Sequence, residues 1–221
     1  MTIDPRTASQ IFDVCAAAVV VLGVGLAATR SIGRSIWLVA IQSALVGVAA
    51  LGVGLATGAG HLLTGGLLAI AVKGFVVPLV LGSILRRSAV RHERHPFLGP
   101  RASLVAAVAI VFVATAAADG ASPGASVAAS RGLPAAMAEV LTGLLIVMTR
   151  RKALSLVVGL LVFENGIALT AFSLTYGMPL VVELGVLFDL LIAVVVAWVY
   201  ARRMLDVFGS TSTDRLRSLR G

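Results

Sequence analysis

The sequence has 221 residues, of which 59% are hydrophobic and 13% charged, with a mean hydropathy of +1.03 and a formal net charge of +8. Soluble domains carry roughly 25% charged residues, so this composition excludes a soluble enzyme and indicates a helical membrane protein. The single cysteine, Cys15, argues against a resident iron–sulfur cluster or a cysteine-based structural zinc site, because each needs several cysteine ligands.

Seven apolar segments are long enough to cross a bilayer as helices, which takes about 20 residues each. They are residues 10–28, 36–57, 62–85, 102–118, 132–149, 153–175 and 179–201. We therefore predict an all-α, polytopic membrane protein with seven transmembrane helices and no soluble catalytic domain. The first segment could be mistaken for a signal peptide, but Asp4 and Asp13 interrupt its would-be basic and apolar regions, so we interpret it as a retained span.

Arginine and lysine are distributed unequally between the two sides that this topology creates. Lys73 lies within a span; of the other 17, only Arg6 and Arg131 fall on the side of the N-terminus, and 15 fall on the opposite side. The positive-inside rule then places the N-terminus outside and the C-terminus in the cytoplasm. The positive charge is thus explained by the bilayer as a partner, with no nucleic acid, and we expect a multi-pass protein of a bacterial or archaeal plasma membrane.

The third span combines a charged residue with a backbone break. Pro78 has no N–H to donate to the carbonyl of Gly74, which directly follows Lys73. A freed carbonyl beside an ammonium predicts a water site or a hinge, and the alternative is an ordinary proline kink. In the loop that follows, His92 and His95 could form a metal pair, but the neighbouring arginines favour a solvated basic loop, so we predict no metal site.

Five ionisable residues interrupt the predicted spans: Lys73, Glu139, Glu164, Glu183 and Asp189. Each costs about 2.5–3.5 kcal/mol near the bilayer centre unless it pairs, becomes neutral or faces water. At 1.5 Å per residue from the basic residue that ends each span, four of them lie roughly 16–20 Å deep, and Glu183 lies about 9 Å farther out than Asp189. This common depth predicts a proton relay in the membrane plane. The alternative is a set of structural ion pairs, with Lys73 bound to one glutamate.

The last three spans resemble a known family. An arginine-rich turn, Thr149-Arg-Arg-Lys152, precedes Gly159-Leu160 and the membrane residue Glu164, as in the K-type subunit of complex I and the C subunit of multi-subunit cation/proton antiporters. Glu183 and the closing Arg202-Arg203 match the following helix of those subunits. The longer motif Leu161-Val-Phe-Glu-Asn-Gly-Ile167, after four additional helices, is similar to the hydrogenase-4 component E family, membrane subunits associated with energy-converting, group-4 hydrogenases and formate-linked complexes.

The resemblance implies a four-helix N-terminal region (1–131), a K-like three-helix region (132–203) and a cytoplasmic basic tail (204–221). It implies a non-redox subunit of a respiratory or energy-converting complex, between antiporter-like subunits and those that anchor the quinone or redox arm. Iron–sulfur clusters, and a nickel–iron centre in the hydrogenase type, would belong to partner subunits, with no cofactor, metal or catalytic residue in this chain. Glu164 and Glu183 would be the principal proton carriers. Glu139 and Asp189 would extend the path, and Lys73 would tune their affinity for protons electrostatically.

Two other functions are compatible with the same residues. One is a subunit of a multi-subunit cation/proton antiporter that has no redox arm. The other is an assembly scaffold that transports nothing, in which the buried charges only hold the helices together. Subunits that hold iron–sulfur clusters or nickel would co-purify with the redox type and not with a stand-alone antiporter.

The charge segregation predicts which loops are accessible from outside the cell. In a Cys15→Ser background, Ser88→Cys and Ser210→Cys should not react with a membrane-impermeant thiol reagent added to intact cells, whereas Ser122→Cys should. Permeabilised cells, in which all three should react, provide the control. Reaction of Ser88→Cys or Ser210→Cys in intact cells would invert the predicted orientation.

Overall fold

The chain forms a bundle of long helices in the computed structural model, which describes residues 3–87, 92, 97–121, 127–175, 194 and 198. For residues 87, 119–121, 127–131 and 173–175 the backbone alone is described. The helices are α1 (Pro5–Ala28), α2 (Ile32–Thr57), α3 (Gly60–Leu68), a π-helical segment (Ala69–Val76), α4 (Val77–Arg87), α5 (Pro100–Ala121), α6 (Val127–Thr149) and α7 (Ala153–Thr175). Within these ranges the regular structure is helical, apart from an isolated antiparallel bridge between Ser31 and His92.

Six spans are long and apolar enough to cross a membrane within the described residues, with α3, the π segment and α4 forming one of them. The chain is therefore a multi-pass helical membrane protein, and the first six predicted spans are confirmed. The seventh predicted span, 179–201, and the tail 204–221 lie outside the described residues, apart from Val194 and Trp198.

The helices begin before the apolar segments that predicted them. α1 starts at Pro5, directly after Asp4, and α2 starts at Ile32. Proline suits the first helical position because its missing N–H has no intrahelical partner there and its φ is already helical. The predicted spans start later, at residues 10 and 36, since hydropathy marks the part of a helix in hydrocarbon and not its full length.

The third span changes its hydrogen-bonding pattern around Lys73. Residues Ala69–Val76 are π-helical, and at the end of this segment the Val77 N–H donates to the carbonyl of Val72, five residues back. Pro78 follows and supplies no N–H. The helix thus accommodates the missing N–H of Pro78 by widening before the proline, and Lys73 lies inside the widened segment. Such π segments occur often at functional sites.

Helices α6 and α7 pack closely through glycines. A Cβ atom placed on Gly166 would lie 2.5 Å from the backbone nitrogen of Val140, and one on Gly159 would lie 3.0 Å from that of Val147. Gly143 approaches the backbone of Phe163 in the same way. Small residues let membrane helices approach until their backbones touch, which here aligns α6 and α7 along most of their length.

Two buried apolar clusters lie at opposite ends of the bundle. The Phe12 cluster consists of Phe12, Cys15, Ala16, Val19, Val46, Ala49, Ala136 and Leu169. The Leu26 cluster consists of Leu26, Ala27, Ile32, Ile36, Val39, Val77, Leu81, Ala107, Ile146, Val158, Leu161, Val162 and Val194. Each draws on α1, α2, α6 and α7, so both hold the same helices together at different depths.

The end of the bundle beyond the Leu26 cluster is tied by arginines. The buried guanidinium of Arg150 donates from Nη2 to the carbonyl of Ala27, at 2.6 Å. That carbonyl is in the last turn of α1, where helical carbonyls have no intrahelical donor and a cation is favourable. Arg151 lies 4.1 Å from the centre of the Phe97 ring, and the Phe97 N–H donates to Thr149. These contacts fix the α6–α7 turn against α1.

The glycine contacts make a prediction about packing. Gly166→Ala should destabilise the protein by about 1–3 kcal/mol, because the added methyl group overlaps the α6 backbone. Gly25→Ala is the matched control, since a Cβ there meets nothing within 4 Å. Thermal unfolding of both purified variants in the same detergent tests this. An unchanged unfolding temperature for Gly166→Ala would show that α6 and α7 are farther apart than described.

Candidate functional site

An ion pair joins the third span to α7. The ammonium of Lys73 lies 2.6 Å from Oε1 of Glu164, and these side chains are only 8% and 9% exposed. Neither carboxylate oxygen accepts a hydrogen bond of regular geometry from the described residues, although the distance is that of a close ion pair. A carboxylate offers about four acceptor positions. The Glu164 carboxylate is therefore charge-compensated by Lys73, and among the described residues this lysine is the partner that the structure gives it.

Gln42 links two other helices to the same region. Its side chain is fully buried, and its amide nitrogen donates to the carbonyl of Val19 at 3.0 Å and to Oε1 of Glu139 at 2.5 Å. A backbone carbonyl can only accept hydrogen bonds, so the Val19 carbonyl requires the nitrogen side of the Gln42 amide to face it. With that orientation fixed, Gln42 also presents an N–H to Glu139, on α6.

Asn165 continues this network onto α7. Its Nδ2 donates to Oε1 of Gln42 at 3.2 Å and to the hydroxyl of Ser43 at 3.1 Å. The Ser43 hydroxyl also lies 3.3 Å from Asn165 Oδ1, to which it can donate. The amides therefore point their donors in one direction, from Asn165 through Gln42 to Glu139. Glu164 and Asn165 are consecutive in α7, so the ion pair and the network meet there.

Glycines make room for the Glu139 carboxyl group. A Cβ on Gly23 would lie 2.6 Å from Oε2 and 2.9 Å from Oε1 of Glu139, so any larger residue would displace it. On the other side, Gly166 brings α7 against the backbone at Glu139 and Val140. Glu139 is 1% exposed and is thus enclosed by α1, α2 and α7.

These groups form a polar layer across the bundle. We define it as Gln42, Ser43, Lys73, Glu139, Glu164 and Asn165, with the carbonyl of Val19. The two apolar clusters enclose it: along α2, Val39 belongs to the Leu26 cluster, Gln42 to the layer and Val46 to the Phe12 cluster. The same order holds on α7 between Val162 and Leu169. Charged and polar groups are therefore buried between the Leu26 cluster and the Phe12 cluster.

The structure brings together three of the five residues predicted for the site. Lys73, Glu139 and Glu164 lie in the polar layer, whereas Glu183 and Asp189 lie outside the described residues. Whether any of them carries protons stays a prediction. The proposed pairing of Lys73 with one glutamate is present, with Glu164 as the partner. Within the described part of the chain, no three His, Cys, Asp or Glu side chains come together as metal ligands would.

Sequence reasoning missed the neutral members of the layer. Gln42 and Ser43 lie in the middle of the second span, and Asn165 stood in the motif beside Glu164. The predicted site was built from ionisable residues, and these three side chains are neutral. The available signal was a large amide in the middle of an apolar span, because a buried amide also needs partners for its donors and its acceptor.

The fold and the buried layer define the class: a polytopic helical membrane protein with an ion pair and a carboxyl–amide network in its interior. The sequence is 33% identical over 216 residues to the uncharacterized protein Rv0085 of Mycobacterium tuberculosis, covering 96% of this chain and 97% of that one. The chain belongs to the same family as Rv0085.

A more distant relationship connects the chain to a protein with a descriptive name. It is 26% identical over 153 residues to hydrogenase-4 component E of Escherichia coli K12, covering 69% of this chain and 71% of that protein. Hydrogenase-4 component E of Shigella flexneri matches to the same extent. No family model matches the sequence, and no solved structure matches it significantly.

The ion pair makes a prediction about stability. Lys73→Met and Glu164→Gln should each destabilise the protein, because removing one partner of a buried pair costs about 3–5 kcal/mol, whereas removing both is close to neutral. The double variant should therefore unfold at a higher temperature than either single variant. Thermal unfolding in detergent measures this cycle. Strictly additive losses would contradict a direct interaction between the two side chains.

Proposed function

We propose that this chain is a non-redox membrane subunit of a respiratory or energy-converting redox complex, of the hydrogenase-4 or complex I-like type. In that complex its buried carboxyl groups relay protons and couple electron transfer in partner subunits to ion translocation. The observation that carries the proposal is the polar layer, in which two carboxyl groups and a lysine lie across the bundle between the two apolar clusters. The distant relationship to hydrogenase-4 component E supports membership of such a complex.

The two carboxyl groups of the layer have different surroundings. Glu139 accepts a hydrogen bond from a neutral amide, while Glu164 faces an ammonium at 2.6 Å. A nearby cation favours an ionised carboxyl group, and burial without one favours the protonated form. A movement of Lys73 would therefore change the affinity of Glu164 for a proton. The π-helical segment that holds Lys73 supplies a place where the third span can move.

Gln42 and Asn165 act as positioning residues in this proposal. Their amides carry no titratable proton, so they do not pass protons themselves. Gln42 donates a hydrogen bond to the Glu139 carboxyl group. Asn165, which donates to Gln42, directly follows Glu164 in α7, so the network also fixes that part of α7. Protons would cross the gap through water admitted to the layer or through rotation of the carboxyl groups. Asp189 would extend the relay, and Glu183 would lead it toward the outer face.

Membership of a complex is tested by isolation of the tagged full-length chain from its native membrane. Mild detergent extraction and mass spectrometry should recover membrane subunits of the antiporter-like kind, together with subunits that hold iron–sulfur clusters. A nickel-containing subunit would specify the hydrogenase type. Recovery of antiporter subunits with no metal-binding partner would instead support a stand-alone cation/proton antiporter.

The relay is tested by replacing carboxyl groups with amides of nearly the same shape. Glu164→Gln and Glu139→Gln should assemble, but proton translocation by the reconstituted complex should fall about tenfold or more, because each removes a group that gains and loses a proton. Asp4→Asn is the matched control, since Asp4 is exposed at the start of α1. A pH-sensitive dye in proteoliposomes measures the rate. Normal translocation by both layer variants would favour the scaffold function.

A further inference from the structure

A crevice opens on the bundle between α1, α5 and α6, with a volume of about 390 Å³. Asp13 and Val20 line it from α1, Thr115 from α5, and Ala135 and Ala138 from α6. Most of the lining is apolar, so its polar groups stand out. They are the carboxyl group of Asp13, which is partly buried, and the exposed hydroxyl of Thr115.

The inner end of the crevice lies beside the polar layer. From Asp13 to Val20 it follows α1 for seven residues, or roughly 10 Å. Val20 adjoins Val19, whose carbonyl binds Gln42, and on α6 the lining residue Ala138 directly precedes Glu139. One end of the crevice therefore lies at Asp13, and the other lies at Val20 and Ala138, the chain neighbours of Val19 and Glu139. It runs on the Phe12-cluster side of the layer, since Ala16 is common to both.

Water is the occupant that this geometry favours. Ionisable residues within membrane spans face the protein interior or a water-filled cavity, because exposure to lipid is costly. Asp13 lies nine residues into α1 and borders this opening. The volume exceeds the roughly 30 Å³ that one water occupies in the liquid, and Asp13 and Thr115 provide polar partners for several.

We propose that the crevice is the access path between the Asp13 side of the membrane and Glu139, with Asp13 as the proton-exchanging group at its mouth. At each step one O–H bond breaks on a carboxyl group or water and one forms on its neighbour, with no electron transferred. The proposal rests on the proposed relay and adds a carboxyl group that the relay did not include. It also gives the layer an aqueous connection built from described residues.

Hydration is tested directly with a matched pair of adjacent residues. In a Cys15→Ser background and in membranes that hold the whole complex, Val20→Cys should react with a charged, impermeant thiol reagent, because reaction needs an ionised thiol in water. Val21→Cys is the control: Val21 is 70% exposed on the surface of α1 and does not line the crevice. We expect labelling about tenfold or more faster at residue 20. Equal rates, or no reaction at residue 20, would overturn the proposal and indicate lipid or protein in the crevice.

The rate of proton translocation provides a second test of the access path. Asp13→Asn should lower proton translocation about tenfold, and Asp13→Glu should restore much of it. Ala17→Phe, which fills the crevice, should also lower proton translocation, whereas Val21→Phe on the same helix should not.

Glu139→Gln, measured in parallel, separates the proposed access path from the proposed relay. If Glu139→Gln abolishes translocation while Asp13→Asn and Ala17→Phe do not, the access path is wrong and the relay stands. If Glu139→Gln translocates normally, the relay itself fails. Should Asp13→Asn not assemble, the labelling rates decide.

Discussion

The structure of this protein depends on one constraint: polar groups buried in an apolar medium need an opposite charge or a hydrogen-bonding partner. Lys73 and Glu164 neutralise each other at 2.6 Å, and the Gln42 amide uses its donors on Val19 and Glu139. Four helices and the π segment must meet at one depth for these contacts to form. The glycines of α1, α6 and α7 make that approach possible, and the two apolar clusters close the layer on either side.

The two carboxyl groups of the polar layer differ in their surroundings, and the proposed relay uses this difference. Glu139 accepts a hydrogen bond from the Gln42 amide, whereas the Glu164 carboxylate is paired with a lysine in a π segment. In the proposed relay, Glu164 would exchange between the ion pair and a neutral acid. In the proposed access path, the crevice at Asp13 would let water approach the other end of the layer.

Sequence alone was sufficient for the six described spans and for three charged residues that the structure brings together. Hydropathy located six helices, because about 20 apolar residues are needed to cross a bilayer, and interrupting charges identified Lys73, Glu139 and Glu164. It could not predict that Gln42 joins Glu139 to Asn165, since residues 97 and 123 positions apart meet only through the rotation and packing of three helices. Pro78 indicated a break but not its form, because kinking and π-widening both accommodate a missing N–H.

The central claim is that Glu139 and Glu164 change protonation as the complex turns over. Infrared difference spectroscopy on the assembled complex, between its oxidised and reduced states, measures this directly through the carbonyl stretch of protonated carboxyl groups. We predict difference bands in that region that shift in heavy water, with one component lost in Glu139→Gln and another in Glu164→Gln. Asp4→Asn should leave the spectrum unchanged. Identical carboxyl bands in the wild-type protein and in both layer variants would contradict the account.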